Sequence, residues 1–464
     1  MCSKPPHAFV ACFLLKVSLA LLSGLLLQLL AVVAVLRLVG SRLLMYNGAL
    51  LIVVLGTFHG VTEIANILYP ANNPNLVLID QESVDRWVLL ASVAMLSFST
   101  VYAWTFKRLL EAQPPKCMRK PEASLPLLLG IAVPSFILAA TAGNDAYGAH
   151  GYFLGGLSQA LFLLSTVMCF IALIMRSSVK WMLPILLVEA VLFTLLGSRL
   201  TVIAALVMTA AALTRYGRLL KFRELSAGLF LLAALSALVS STRSYFGRET
   251  YYAPARERIA NTIQAGLAAI DDPELDLKND FLYRFDGNIF PAMVNERFRQ
   301  GYSGVGLTSF AHDFFAFTPS FIYTSKLDSA LEDRNERAYA DAHFGLPGEV
   351  DLPTTLFTIL FGYYGAPGLM FCAVGLGLAF AYLDRWVNSS NALTAYVFGL
   401  ALSYCCIFTE QGVEVFFSTF RSAVVLLLVM RVVSGLRRIA RQRSRGNRDV
   451  PGLLKGCAAD KAGG

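Results

Sequence analysis

Apolar runs of spanning length recur along this chain near residues 17–38, 48–69, 86–106, 124–142, 152–175, 180–197, 200–215 and 224–241, and again near 354–383, 393–409 and 413–434. About 20 apolar residues in a helix, rising about 1.5 Å each, cross a hydrocarbon layer about 30 Å thick. The pattern therefore predicts an all-α polytopic membrane protein with about 11–12 transmembrane helices and one large hydrophilic loop. The uncertainty of one span falls in 354–383, where Gly362, Gly365, Pro367 and Gly368 are placed to break the helix. The first run, from about Leu14 to Val39, has no small-residue cleavage site and exceeds a signal-peptide core, so it reads as a retained span. No internal repeat or low-complexity segment interrupts the pattern.

Four regions follow: an N-terminal transmembrane bundle over 1–241, the hydrophilic loop over 242–351, C-terminal transmembrane helices over 352–436 and a basic tail over 437–464. Charge gives them sides. The loop holds 11 Lys/Arg against 17 Asp/Glu, a net of −6, which leaves 28 against 14, a net of +14, for the rest of the chain. The basic excess thus sits in short loops and the tail, as a positive-inside bias requires, and a nucleic-acid role is not implied. One basic cluster is Lys107, Arg108, Lys116, Arg119 and Lys120, and a second is Arg215, Arg218, Lys221 and Arg223. With both inside, the tail carrying Arg437, Arg438, Arg441, Arg443, Arg445 and Arg448 lies inside against anionic headgroups. The loops near 144–150, 197–199 and 410–412, together with 242–351, then fall outside. Eleven spans would put the amino terminus outside, whereas Lys4 and Lys16 favour the reverse, so its side stays open.

Composition narrows the class without adding detail. Of 464 residues 56% are apolar and 15% charged, which leaves no room for a large soluble domain. The eight cysteines are scattered through spans and inside segments without metal-ligand spacing, and the long loop contains none.

The candidate chemistry lies on the outer side. Gly197-Ser198-Arg199 is a tight turn between spans. Ser198 is suited to cap the helix beginning at Leu200, which would set Arg199 beside free backbone N–H groups, an arrangement that suits a phosphate. The competing reading is an arginine reaching to lipid headgroups. Arg243 and Arg248 follow the eighth run, and Arg256 and Arg258 come next, against the positive-inside bias; pairing with Glu249 and Glu257 is the plain account of the latter two. Within the loop, Tyr283-Arg284-Phe285-Asp286 precedes an apolar stretch, and Gly304-Val305-Gly306 and the aromatic segment 310–321 look able to dip into the interface. There His312 stands beside Asp313 among aromatics, where an imidazole can serve proton transfer; His343 is the other loop histidine. A second set of ionisable residues lies within apolar runs: His59 with Glu63, Glu189, Glu410 with Glu414, and Arg421. Such groups face a polar cavity or one another. Glu414 and Arg421, seven apart, share a helix face and suit an ion pair to a neighbouring helix, or a transporter's proton relay.

Many spans, a Gly-Ser-Arg turn and a large late loop with arginines resemble the Wzy-like oligosaccharide repeat-unit polymerases, relatives of the O-antigen ligases. The exit Asp351-Leu352-Pro353-Thr354-Thr355 and the segment Phe361-Gly362-Tyr363-Tyr364-Gly365-Ala366-Pro367-Gly368 add to the likeness, which covers roughly 188–421. The resemblance implies a C-type glycosyltransferase fold, with the loop periplasmic, in a bacterial inner membrane. Its substrates would be polyprenyl-diphosphate-linked oligosaccharides, and its companions a chain-length regulator and a flippase. The family's diphosphate-holding arginines would correspond to Arg199 and, less directly, to Arg243 and Arg284. Outside that correspondence, Arg248, Glu414 and Arg421 are further candidate site residues. Fixed guanidinium groups can stabilise the anionic leaving group without a metal. The attacking hydroxyl needs positioning and a base, for which His312, Asp286 and Asp313 are the candidates. No metal or other cofactor is expected: no His and carboxylate cluster is spaced for a divalent cation, and Asp271-Asp272 reads as a helix end or solvated patch.

The expected function is polymerisation of lipid-linked repeat units into a surface polysaccharide, O-antigen or exopolysaccharide. Ligase-type transfer to another acceptor shares this logic. A mannosyltransferase-type enzyme fits less well, because such enzymes carry an acidic pair in an early outer loop, where this chain has Asp80, Glu82 and Asp85. A transporter would use the buried charges as a path, but it favours similar halves and short outer loops.

Overall fold

The computed structural model describes residues 18–68, 79–112, 286–304, 355–390 and 392–407, with scattered helical positions between 207 and 267 and between 416 and 435. Every element among the described residues is helical. Helix α1 is Leu19–Val39, and a 3-10 turn, Gly40–Met45, leads to α2, Asn47–Gly56. A π-helical turn, Thr57–Val61, joins α2 to α3, Thr62–Leu68. Then come α4, Gln81–Ala112; α5, Ile289–Arg299; α6, Leu356–Ser389; and α7, Ala392–Ile407.

Four described helices are long and apolar enough to cross a membrane: Leu19–Val39, Asn47–Leu68, Gln81–Glu111 and Leu356–Ser389. They agree with four of the expected runs and fit a multi-pass membrane protein. Their outward side chains are apolar too; Leu19 and Phe371 are each 81% exposed, as a lipid-facing surface requires.

Contacts fix the directions of the helices. Gly24 of α1 lies against Leu89 of α4, and four residues on Gln28 bonds Ser92, so these two helices run parallel. The α2–α3 rod runs the other way, with Gly48 against Tyr102, Gly56 near Met95 and His59 against Trp87. Helix α6 again parallels α4, through Phe361 on Trp87, Phe380 on Phe98 and Asp384 on Tyr102. The α4–α6 approach is close because Gly377 has no side chain: a Cβ there would stand 2.8 Å from the Phe98 carbonyl oxygen.

The bundle therefore has two distinct ends. One carries the start of α4, the end of α3 and the start of α6; the other carries Arg37, Lys107, Arg108 and Arg385. At this second end the Arg385 guanidinium donates to the Leu109 carbonyl at 2.6 Å, serving the last turn of α4. The Arg108 guanidinium stacks 3.7 Å over Trp104.

Helix α6 is long for a single crossing, about 51 Å at 1.5 Å per residue. It is in fact two helices. Gly365 breaks it at φ +65°, a conformation that favours glycine, with Pro367 two residues on. The break falls where the glycines and proline of 362–368 were expected to put it. What remains is a short half-helix, 356–364, and a longer one able to span.

Candidate functional site

Within the apolar rod α2–α3, His59, Glu63 and Asn66 recur at helical spacing and face inward; each is at most 5% exposed. They lie at the first end of the bundle, beside the start of α4. The π turn that carries His59 widens the backbone by one residue, with the Thr62 N–H reaching back to the Thr57 carbonyl.

Residues 286–304 of the hydrophilic region dock on this rod. The Gly287 N–H donates to the Phe58 carbonyl at 3.2 Å, and Asn288 Nδ2 donates to the His59 carbonyl at 3.0 Å and to Glu63 Oε2 at 3.3 Å. Glycine at 287 suits this close approach: a Cβ would lie 3.0 Å from Thr355 Cγ2 and 3.3 Å from Phe58 Cβ, tight enough that a neighbour would have to shift by a few tenths of an ångström. Asp286 accepts from Asn66 Nδ2 at 2.8 Å and from the Asn288 N–H at 3.1 Å. Beyond this grip α5 buries Ile289, Phe290, Ala292, Met293 and Val294 against α4 and α6. At its far end Phe298 packs edge-on to Phe361, and Gly304 lies against the carbonyl oxygens of Gly362 and Tyr363, just before the α6 break.

The hydrogen-bond order assigns the proton on His59. Both acceptors of Asn288 Nδ2 are oxygens, so Asn288 Oδ1 faces His59 Nδ1 at 2.8 Å and accepts from it. In the neutral ring Nε2 then accepts from the Thr355 hydroxyl, 3.2 Å away. Thr355 is the N-cap of α6 in a reciprocal capping box with Thr358: its Oγ1 accepts from the Thr358 N–H, and Thr358 Oγ1 accepts from the Thr355 N–H. A directed chain results, running from Thr358 through Thr355, His59 and Asn288 to Glu63. Gln81 of α4 closes it by donating to Glu63 Oε1 at 3.0 Å and to Asp85 at 2.9 Å. Among the described residues, no group of three or more His, Cys, Asp or Glu is arranged to hold a metal ion.

Hydroxyl, imidazole and orienting amide in this order resemble a nucleophile, base and positioner. Thr355 and His59 are, however, fully buried, and Thr355 serves as a helix cap. As built, the chain joins three elements, the π turn, the loop and the half-helix, rather than presenting a reactive atom.

Several sequence candidates meet here. His59, Glu63 and Asp286 were singled out, Thr355 belongs to the exit motif, and Asp85 to the early acidic group. Asn66, Gln81, Asn288 and Thr358 were missed, although Asn66 continues the His59–Glu63 stripe by one turn. Arg199, Arg243, Arg248, Arg284, His312, Asp313, Glu414 and Arg421 lie outside the described residues.

Comparison with protein-family models, with curated proteins and with solved structures finds no match for this chain.

Proposed function

We propose that this chain is a glycosyltransferase of a bacterial inner membrane that polymerises polyprenyl-diphosphate-linked oligosaccharide repeat units into a surface polysaccharide at the periplasmic face. The observation that carries the reading is the docking of 286–304 into the end of the bundle opposite Lys107 and Arg108. By the positive-inside bias the Lys107 end is cytoplasmic, so the hydrophilic region belongs at the outer face, on a rigid seat of spanning helices. A loop held in this way suits chemistry on a substrate whose lipid lies in the bilayer and whose glycan lies in the periplasm. In this reading about 11–12 spans form a C-type glycosyltransferase-like fold. Arg199, with Arg243 and Arg284, holds the diphosphate, and the leaving charge is stabilised without a metal. A loop group, His312, Asp313 or Asp286, takes the proton of the attacking hydroxyl. Transfer to a different acceptor, as in a ligase, would use the same parts.

One observation favours a second reading, a transporter of lipid-linked glycans: buried His59, Glu63, Asp85 and Asp286 lie near a helix interrupted at Gly365. The two readings part in a single assay. Purified protein given lipid-diphosphate repeat units in detergent should make a ladder of polymers with no ion gradient present. A protein that makes none, yet moves the lipid across sealed vesicles, is a transporter. In cells, Arg199→Ala that still reaches the membrane should shorten or abolish polymer; unchanged polymer length removes Arg199 from the diphosphate site.

A further inference from the structure

Besides the packing of α5 on α4 and α6, the described part of the loop meets the bundle at two places where a spanning segment departs from the α-helix. Residues 286–288 grip the π turn, and Gly304 rests on the carbonyls just before the Gly365 break. Irregular backbone inside an apolar bundle leaves polar groups that only protein can satisfy. The Phe58 and His59 carbonyls take donors from Gly287 and Asn288. The Asn288 side chain, unlike that of an ordinary helix-capping asparagine, makes no bond to its own helix. It is spent wholly on His59 and Glu63. His59 in turn reaches Thr355, where the broken helix begins.

We propose that His59 and Asn288 are positioning residues: together they latch α5 as a strut between the π turn and the half-helix 356–364, and the latched loop is the form that carries out transfer. The activity half of this statement rests on the polymerase reading; the latch itself does not. His59 acts through its Nδ1–H and not through contact with substrate. An asparagine at 59 can offer a donor amide near the same place, whereas alanine cannot.

The test uses the full-length chain in lipid nanodiscs, with backbone hydrogen exchange followed by mass spectrometry. In Asn288→Ala and His59→Ala, exchange over 289–299 and 356–364 should rise by about tenfold or more, the loss expected when a buried hydrogen-bonded partner is removed. Exchange around Tyr102 and Asp384, at the other end of the bundle, should stay as in the wild type. His59→Asn should remain within about threefold of wild type over 289–299, because it keeps the donor. The initial rate of ladder formation should follow the same order, with His59→Asn above both alanine variants.

Unchanged exchange over 289–299 in both alanine variants overturns the latch. So does a rise shared equally by the Tyr102–Asp384 end, which would make the network a general support of the fold, and so does His59→Asn behaving like His59→Ala. If the wild type makes no ladder at all, the polymerase reading fails while the exchange result still decides the latch.

Discussion

Asp384 offers the clearest quantitative test of how this bundle is held. Its carboxylate is fully buried and, among the described residues, accepts from the Asn47 and Gly48 N–H groups at 2.9 Å each, from Asn47 Nδ2 at 3.0 Å and from the Tyr102 hydroxyl at 2.9 Å. The two backbone donors open α2, whose N-cap residue, Tyr46, supplies no side-chain acceptor. A helix start leaves such N–H groups without partners of its own, and a carboxylate there also meets the positive end of the helix dipole. Asp384→Ala strands these donors in a dry bundle. Hydrogen bonds within membranes average about 0.6 kcal/mol in double-mutant cycles. Those to a charged acceptor reach about 1.5–3 kcal/mol, and stranded donors add their desolvation, so the expected loss is about 3–5 kcal/mol. Tyr102→Phe removes one donor and should cost about 1 kcal/mol in the wild type. On the Asp384→Ala background it should cost almost nothing, since its acceptor has already gone. Reversible unfolding in mixed micelles measures all three variants. An Asp384→Ala protein within about 1 kcal/mol of wild type, or full additivity of the two changes, would refute the clamp.

Further outcomes test the packing and the start of α4. Gly377→Ala puts a methyl 2.8 Å from the Phe98 carbonyl and 3.3 Å from the Tyr102 nitrogen, both backbone atoms that cannot turn aside, and should destabilise by about 1–3 kcal/mol. Gly375→Ala meets nothing within 4 Å and should be neutral or slightly stabilising in the same unfolding assay. Asp80 precedes α4, and hydrogen bonding to Ser83, chiefly through the serine side chain and also through its N–H at 3.2 Å, holds the Asp80 carboxyl below the usual carboxylate range. A pKa depressed in the folded state contributes stability above the unfolded value and loses it as pH falls through the folded one. Exchange protection of the first turn of α4 should therefore fade below about pH 4, and Asp80→Asn should remove that dependence.

Much of the architecture was legible because hydrocarbon imposes length and apolarity on any helix that crosses it. The runs near 17–38, 48–69 and 86–106 reappear as α1, the α2–α3 rod and α4, and the Gly365 break was readable from glycine and proline alone. Boundaries erred where polar residues are satisfied inside a helix. Helix α4 begins at Gln81, not near 86, because Asp80 caps it and Gln81 and Asp85 bond one another in its first turns. Helix α6 runs on past 383 because Asp384, which marks an ending when seen as a bare charge, is neutralised in effect by the donors of α2. At the candidate site, His59 and Glu63 were visible as costly charges in an apolar run. Asn288 was not, since its partner lies 229 residues away and asparagine in a loop has no special signature. Asp286 reads in the sequence as a possible base, and in the structure it accepts from Asn66 Nδ2 and from the Asn288 N–H.

The placement of the two buried polar clusters follows from one constraint. A bundle in hydrocarbon can tolerate a wide turn, a broken helix or an unpaired helix start only where some other segment supplies the missing partners. At the Lys107 end the need is the opening of α2, and it is met within the membrane by Asp384 of α6. At the opposite end the π turn leaves the Phe58 and His59 carbonyls, which the hydrophilic region serves through Gly287 and Asn288, with the Thr62 hydroxyl also donating to Phe58, while Gly304 packs closely on the backbone before Gly365. The first solution needs nothing from outside the bundle. The second ties the π turn to the seating of 286–304, because the His59 carbonyl takes its donor from Asn288. An irregular helix that served packing alone could draw its partners from a neighbouring span, as α2 does. That this end draws them from the loop is the physical reason for placing function there.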